Sequence, residues 1–113
     1  MSESVNKLLR ELKKVPRRKY KLVAKKLNNG PVRGEIVTKL ILELFEGKVR
    51  IVGYLDVMSQ VDSITVYEQV ISDGYAYGYK EVILSPNDYK ILLDLFEQVS
   101  FKDIVNNTTI YLS

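Results

Sequence analysis

Between Lys48 and Leu84 the chain keeps a two-residue period, and that period limits the fold more than any other feature. Lys48–Val57 (KVRIVGYLDV) sets Val49, Ile51, Leu55 and Val57 on one side and Lys48, Arg50 and Tyr54 on the other. Ser63–Ile71 repeats the pattern, with Ile64, Val66 and Val70 facing in and Thr65, Tyr67 and Gln69 facing out. Alternation of this kind builds a half-buried strand and cannot build the stripe of a helix. Ser72-Asp73-Gly74 is a tight turn, and Tyr75–Leu84 follows as a strand with Val82 and Leu84 inward. Residues 36–46 fit two patterns. A helix would gather Ile36, Val37, Leu40, Ile41, Leu44 and Phe45, whereas a strand would alternate Leu40, Leu42 and Leu44 with Lys39, Ile41, Glu43 and Phe45. The β-branched residues at 36–38 and the Glu46-Gly47 turn favour the strand. Four strands on short turns form an antiparallel meander.

Helical spacing brackets the meander. Val5, Leu8, Leu9, Leu12 and Val15 recur at i, i+3, i+4 and i+7, with Ser4 placed to cap them. Pro16 interrupts, then Tyr20, Val23, Ala24 and Leu27 form a second stripe that Asn28-Asn29-Gly30-Pro31 ends. After the meander, Ser85-Pro86 caps a third helix with Asp88 at the capping-box position and an apolar stripe of Tyr89, Leu92, Leu93, Phe96 and Val99. Ser100–Asn106 extends or restarts that helix, and Thr108–Leu112 reads as a short strand. The expectation is a single α+β domain over residues 1–113: a basic helical segment (1–35), a four-stranded curved meander (36–84), a helix on one face of it (85–106) and a tail (107–113).

Composition narrows the chemistry. Among 113 residues there is no His and no Cys, which removes the commonest zinc ligands, the usual general base and the common nucleophile triads. No Gly-rich phosphate loop is present, no apolar run reaches membrane-spanning length, and the N-terminus is not a secretory signal. The expectation is a non-catalytic, intracellular binding protein without cofactor or metal. The wealth of Lys, Ile, Val and Tyr fits a hot-growing host. Charge is unevenly spread. Residues 1–35 hold eleven Lys/Arg and three acids, a net +8, whereas residues 36–113 hold six bases and eleven acids, a net −5. A basic end on an acidic body points to a polyanion, with a solvated helix face as the plain alternative. Arg17, Arg18 and Lys21 are the candidate contacts there.

The outward strand positions collect six aromatics and three cations: Phe45, Tyr54, Tyr67, Tyr75, Tyr77 and Tyr79 with Lys39, Lys48 and Arg50. Bases stack on such rings without sequence readout, and neighbouring cations hold phosphates. The competing reading makes this face a second core or a dimer interface through Ile41, Val52 and Ile83. Neutralising about 4–6 phosphates would give a salt slope of about −3 to −4 for single strands.

Two stretches resemble a known family. Phe45-Glu-Gly47-Lys48-Val49-Arg-Ile51 looks like the β-hairpin of the transcriptional positive cofactor four family, and Lys80-Glu-Val82-Ile-Leu84-Ser85-Pro86-Asn-Asp88-Tyr89-x-x-Leu92 resembles that family's last strand running into its helix. The resemblance spans roughly residues 37–100. It implies a dimer that binds single-stranded DNA on its sheet. Phe45 would be the stacking aromatic, Lys48 and Lys80 the phosphate contacts and Tyr89 the inward helix aromatic. The chain departs from the pattern where the family's second-strand basic residue falls on Tyr54 and its binding aromatic near Val57. It is also about ten residues longer between the motifs. A looser likeness, in order of elements only, is to small single-stranded-DNA-binding proteins of archaeal viruses. The expected function is sequence-tolerant binding of single-stranded DNA, with RNA as a further ligand, by a cytoplasmic homodimer (in host cytoplasm if viral). A winged-helix duplex-DNA regulator, with a recognition helix at 36–46, and a protein-binding inhibitor module are the alternatives.

Overall fold

Residues 3–29, 32–36, 39–58 and 60–99 are described by the computed structural model. The expectations for Ser100–Asn106 and Thr108–Leu112 lie outside them. Three helices, α1 (Glu3–Lys13), α2 (Tyr20–Asn28, entered through a 3-10 turn at Arg17–Lys19) and α3 (Pro86–Gln98), flank an open antiparallel sheet. The expected meander is β2 (Leu40–Leu44), β3 (Val49–Leu55), β4 (Val61–Ser72) and β5 (Tyr75–Glu81), and a four-residue strand, β1 (Arg33–Ile36), precedes it. Strand order follows chain order, β1-β2-β3-β4-β5. Residues 40–44 are therefore strand, and the recognition helix of the winged-helix alternative does not form there.

Local chemistry explains the boundaries. The Ser85 hydroxyl accepts from the Asp88 N–H at 3.2 Å with Pro86 in the first turn. The Asp88 carboxylate does not reach back to complete a capping box. It pairs with Lys13 of α1 at 2.9 Å and ties the first helix to the third. Ser4 does not cap α1, which starts at Glu3; the Ser4 N–H donates to Glu68 of β4 at 3.2 Å. Asn29 ends α2 in the left-handed conformation, where a short amide side chain is tolerated.

All three helices lie on one side of the sheet. Val5, Leu8, Leu12, Ala24, Leu92 and Phe96 bury against Leu42, Leu44, Val49, Ile51, Ile64 and Val66. The registers Leu42↔Ile51 and Ile51↔Val66 set these strand residues on one face. At the centre, an added Cβ on Gly53 would sit 2.6 Å from Cε1 and Cζ of Phe96, so α3 rests on bare backbone. The Tyr89 hydroxyl accepts from the Ile64 N–H at 3.0 Å and fixes the start of α3 on β4. Gly53→Ala should therefore destabilise the fold by about 1–3 kcal/mol through overpacking. Combining it with Phe96→Leu should cost less than the two single changes added, because the smaller side chain yields the space. Leu92→Ala, in the same seam, should cost about 2–5 kcal/mol. Urea denaturation of the four variants measures each value.

Candidate nucleic-acid interface

Among the described residues, no helix lies on the second face of the sheet. Register puts Ile41, Glu43, Arg50, Val52 and Tyr54 there from β2 and β3, and Thr65, Tyr67, Gln69, Tyr79 and Glu81 from β4 and β5. Although uncovered by any helix, Val52 is only 5% exposed. Tyr54 lies two positions along β3 on the same side, and Tyr67 two positions from Thr65, the cross-strand partner of Val52. Tyr54 is close enough to Tyr67 to bear on the ionisation of its hydroxyl. Val52 thus has Tyr54 and Tyr67 as neighbours on the same face, with Tyr54 38% exposed. Burial first, then the polar interaction with Tyr54 and the charges of Tyr54 and Glu81, raise the Tyr67 hydroxyl above its ordinary range. The Lys39 ammonium stands 5.4 Å from the centre of the Tyr54 ring, within cation–π distance.

A second cluster holds the opposite end of the face. The Tyr79 hydroxyl crosses β4 and donates to the Gly47 carbonyl at 2.8 Å. The Arg50 guanidinium stacks 4.3 Å from the centre of the Tyr79 ring, while its Nη2 donates to Glu43 Oε1 at 2.5 Å. Arg50 Nε is buried without a partner. The clamped turn needs this support. Phe45, Glu46 and Gly47 take φ of 54°, 58° and 89° in succession, and Phe45 is a bulky side chain in that region. From the helix side, Asn28 Oδ1 accepts from the Glu46 N–H at 3.3 Å.

Five of the expected contacts thus share the open face: Lys39, Arg50, Tyr54, Tyr67 and Tyr79. The others are dispersed. Phe45 sits in the turn and packs on the edge of the core, away from the stacking role the resemblance implies. Lys48 is exposed at the rim, in a shallow concavity with Glu3 and Glu68. Lys80 is paired opposite Glu68 and so lies on the helix side of the sheet. The three β5 tyrosines do not share one face. Val70 pairs with Gly78 and Ile71 with Ala76, which makes Tyr77 an extra, bulged residue. The slip sets Tyr75 beside Ser72 on the helix side while Tyr79 stays on the open side. Arg17 is held by Asp94 at 3.2 Å and Glu97 at 3.1 Å on α3, and Arg18 and Lys21 border the same region, again in the helix layer.

Sequence reasoning missed the Glu43–Arg50 pair, although the register was available. A turn closed by Leu44↔Val49 must set Glu43 opposite Arg50. The Tyr79–Gly47 bond, 32 positions apart in the chain, had no sequence signal. Among the described residues no cluster of acids could hold a metal, and no helix is long and apolar enough to cross a membrane. Comparison with known proteins gives no match to any family model, curated protein or solved structure.

The raised Tyr67 hydroxyl makes stability pH-dependent. Its contribution is fully present below about pH 10, where the unfolded tyrosine also keeps its proton, and is lost as pH rises through the raised folded value. Melting curves on the alkaline side should show Tyr67→Phe losing less stability than the unaltered chain. An identical loss in both proteins would mean that Tyr67 is not buried beside Tyr54.

Proposed function

We propose that the protein is a non-catalytic binder of single-stranded DNA, acting in the cytoplasm, with the open sheet face as the ligand platform. The observation that supports this most directly is the tyrosine layer itself. Tyr54 and Tyr67 share with the buried Val52 a face that no helix covers among the described residues, and Tyr79 adds a third ring from β5. Flat rings accept bases by stacking, worth about 1–3 kcal/mol per base. A duplex keeps its bases stacked internally and gains nothing from such a layer. RNA offers the same base faces and belongs to the same reading.

The electrostatic part is smaller than sequence alone implied. Lys39 and Arg50 are the cations beside the rings, and Arg50 is already paired with Glu43. Two phosphates neutralised would give a salt slope of about −1 to −2 for a single strand, in place of the steeper value expected from 4–6 contacts. Glu43 occupies the position where a phosphate oxygen would meet Arg50. Binding then exchanges one anion for another.

Fluorescence anisotropy with labelled single-stranded DNA, competed by duplex DNA and by RNA, tests the reading. Tyr54→Leu keeps an apolar side chain on the face it shares with Val52 and removes the π-face, so it should weaken single-strand binding by about 1–3 kcal/mol while the melting temperature stays within a few degrees. Glu43→Gln should tighten binding by up to about tenfold, equivalent to ~1.4 kcal/mol. Preference for duplex, or no binding at low salt, would sink the proposal.

A further inference from the structure

The β4–β5 hairpin outruns the sheet. Pairing of β4 with β3 reaches Glu68, and the last contact with that strand's end is the Gln69 N–H on the Lys48 carbonyl at 2.9 Å. Beyond it, residues 70–78 form a two-stranded arm closed by an Asp73-Gly74 turn with φ of 52° and 82°. Two-stranded ribbons are barely stable alone in water. This one is also apolar on both sides. Val70 and Tyr75 lie on the helix side and Ile71 on the open side, with Tyr75 71% and Tyr77 69% exposed. Among the described residues nothing covers either face, a surface suited to insertion into a partner.

Charge decides the partner. Within residues 70–78 the one charged side chain is Asp73, a net −1, so the arm is mildly acidic and offers no cation to a polyanion. Elsewhere the chain carries the complement. At the corner between α2 and the end of α3, a cleft of about 790 Å³ is lined by Arg17, Arg18, Lys21, Leu22, Glu97 and Gln98. Its apolar spot is Leu22, 63% exposed, followed on the same helix face by Lys25 and Lys26 at i+3 and i+4. The ion pairs of Arg17 with α3 and the Gln98 side chain on the Arg17 carbonyl and Lys21 N–H hold the cleft in shape. These basic residues sit in the helix layer, away from the tyrosine face, where a strand laid on that face does not employ them.

We infer that the β4–β5 arm of one copy docks into the α2–α3 cleft of a second copy of this chain, Tyr75 and Tyr77 against Leu22 and Asp73 toward Arg18 and Lys21. The contact joins two different patches, so it closes either as a reciprocal pair or by adding copies head to tail. It does not rest on the nucleic-acid reading.

Sedimentation equilibrium of the full chain without nucleic acid reads it directly. The average mass should rise with protein concentration, and raising salt from about 50 to 500 mM should weaken the association, since the matching charges are exposed. Asp73→Lys and Arg18→Glu should each weaken it at least tenfold, and the two mixed together should associate again through the swapped pair. Tyr75→Ser with Tyr77→Ser should abolish association while leaving the melting temperature unchanged. A single-chain mass throughout, association that strengthens with salt, or charge reversals without effect would overturn the inference. So would an Arg18→Glu variant that associates normally and loses only nucleic-acid affinity.

Discussion

The contact between the Phe96 ring and the bare backbone of Gly53 determines how the rest of the molecule is arranged. It admits α3 close to the middle of the sheet, and α1 and α2 then close over the same side through Leu8, Leu12 and Ala24. With three helices committed to one face, the other is left to its own side chains. There Val52 is only 5% exposed, on the same face as Tyr54 and Tyr67. The character of the open face is thus a by-product of where one glycine lets one aromatic ring sit.

The same division separates charge from aromaticity. Most of the basic residues belong to α1, α2 and the turn between them, whereas the flat tyrosines belong to β3, β4 and β5. A sheet about one strand layer thick stands between the two sets. A ligand that needs rings and a partner that needs cations therefore meet different sides of the molecule, and neither need displace the other.

Much of this architecture was legible in the residues. The period of two from Lys48 onward, the Glu46-Gly47 and Asp73-Gly74 turns and the Ser85-Pro86 cap all mark elements that formed where they were expected. These signals are local and depend on a few neighbouring residues. What failed was the step from a strand to its face. Tyr75, Tyr77 and Tyr79 alternate perfectly in sequence, but one unpaired residue at the bulge moves Tyr75 to the opposite side. Lys80 pairs with Glu68 on the helix side, the side that the alternation with Val82 and Leu84 already gave it. The segment Arg33–Ile36 escaped because four residues are too few to show a period. Pairings such as Arg17 with Glu97, 80 positions away, depend on how helices cross and leave no trace in local pattern.

The bulge at Tyr77 has one more consequence, for the way this protein behaves when crowded. Among the described residues β5 ends the sheet, and an edge of this kind is one on which other chains can add strands without limit. An extra residue at Tyr77, followed by Gly78 at φ 134°, throws the edge donors and acceptors out of step and twists the edge away from flatness. At the opposite margin, β1 is four residues long and offers too little ladder to copy. Among the described residues, one margin is irregular and the other short, and both features disfavour the addition of further strands.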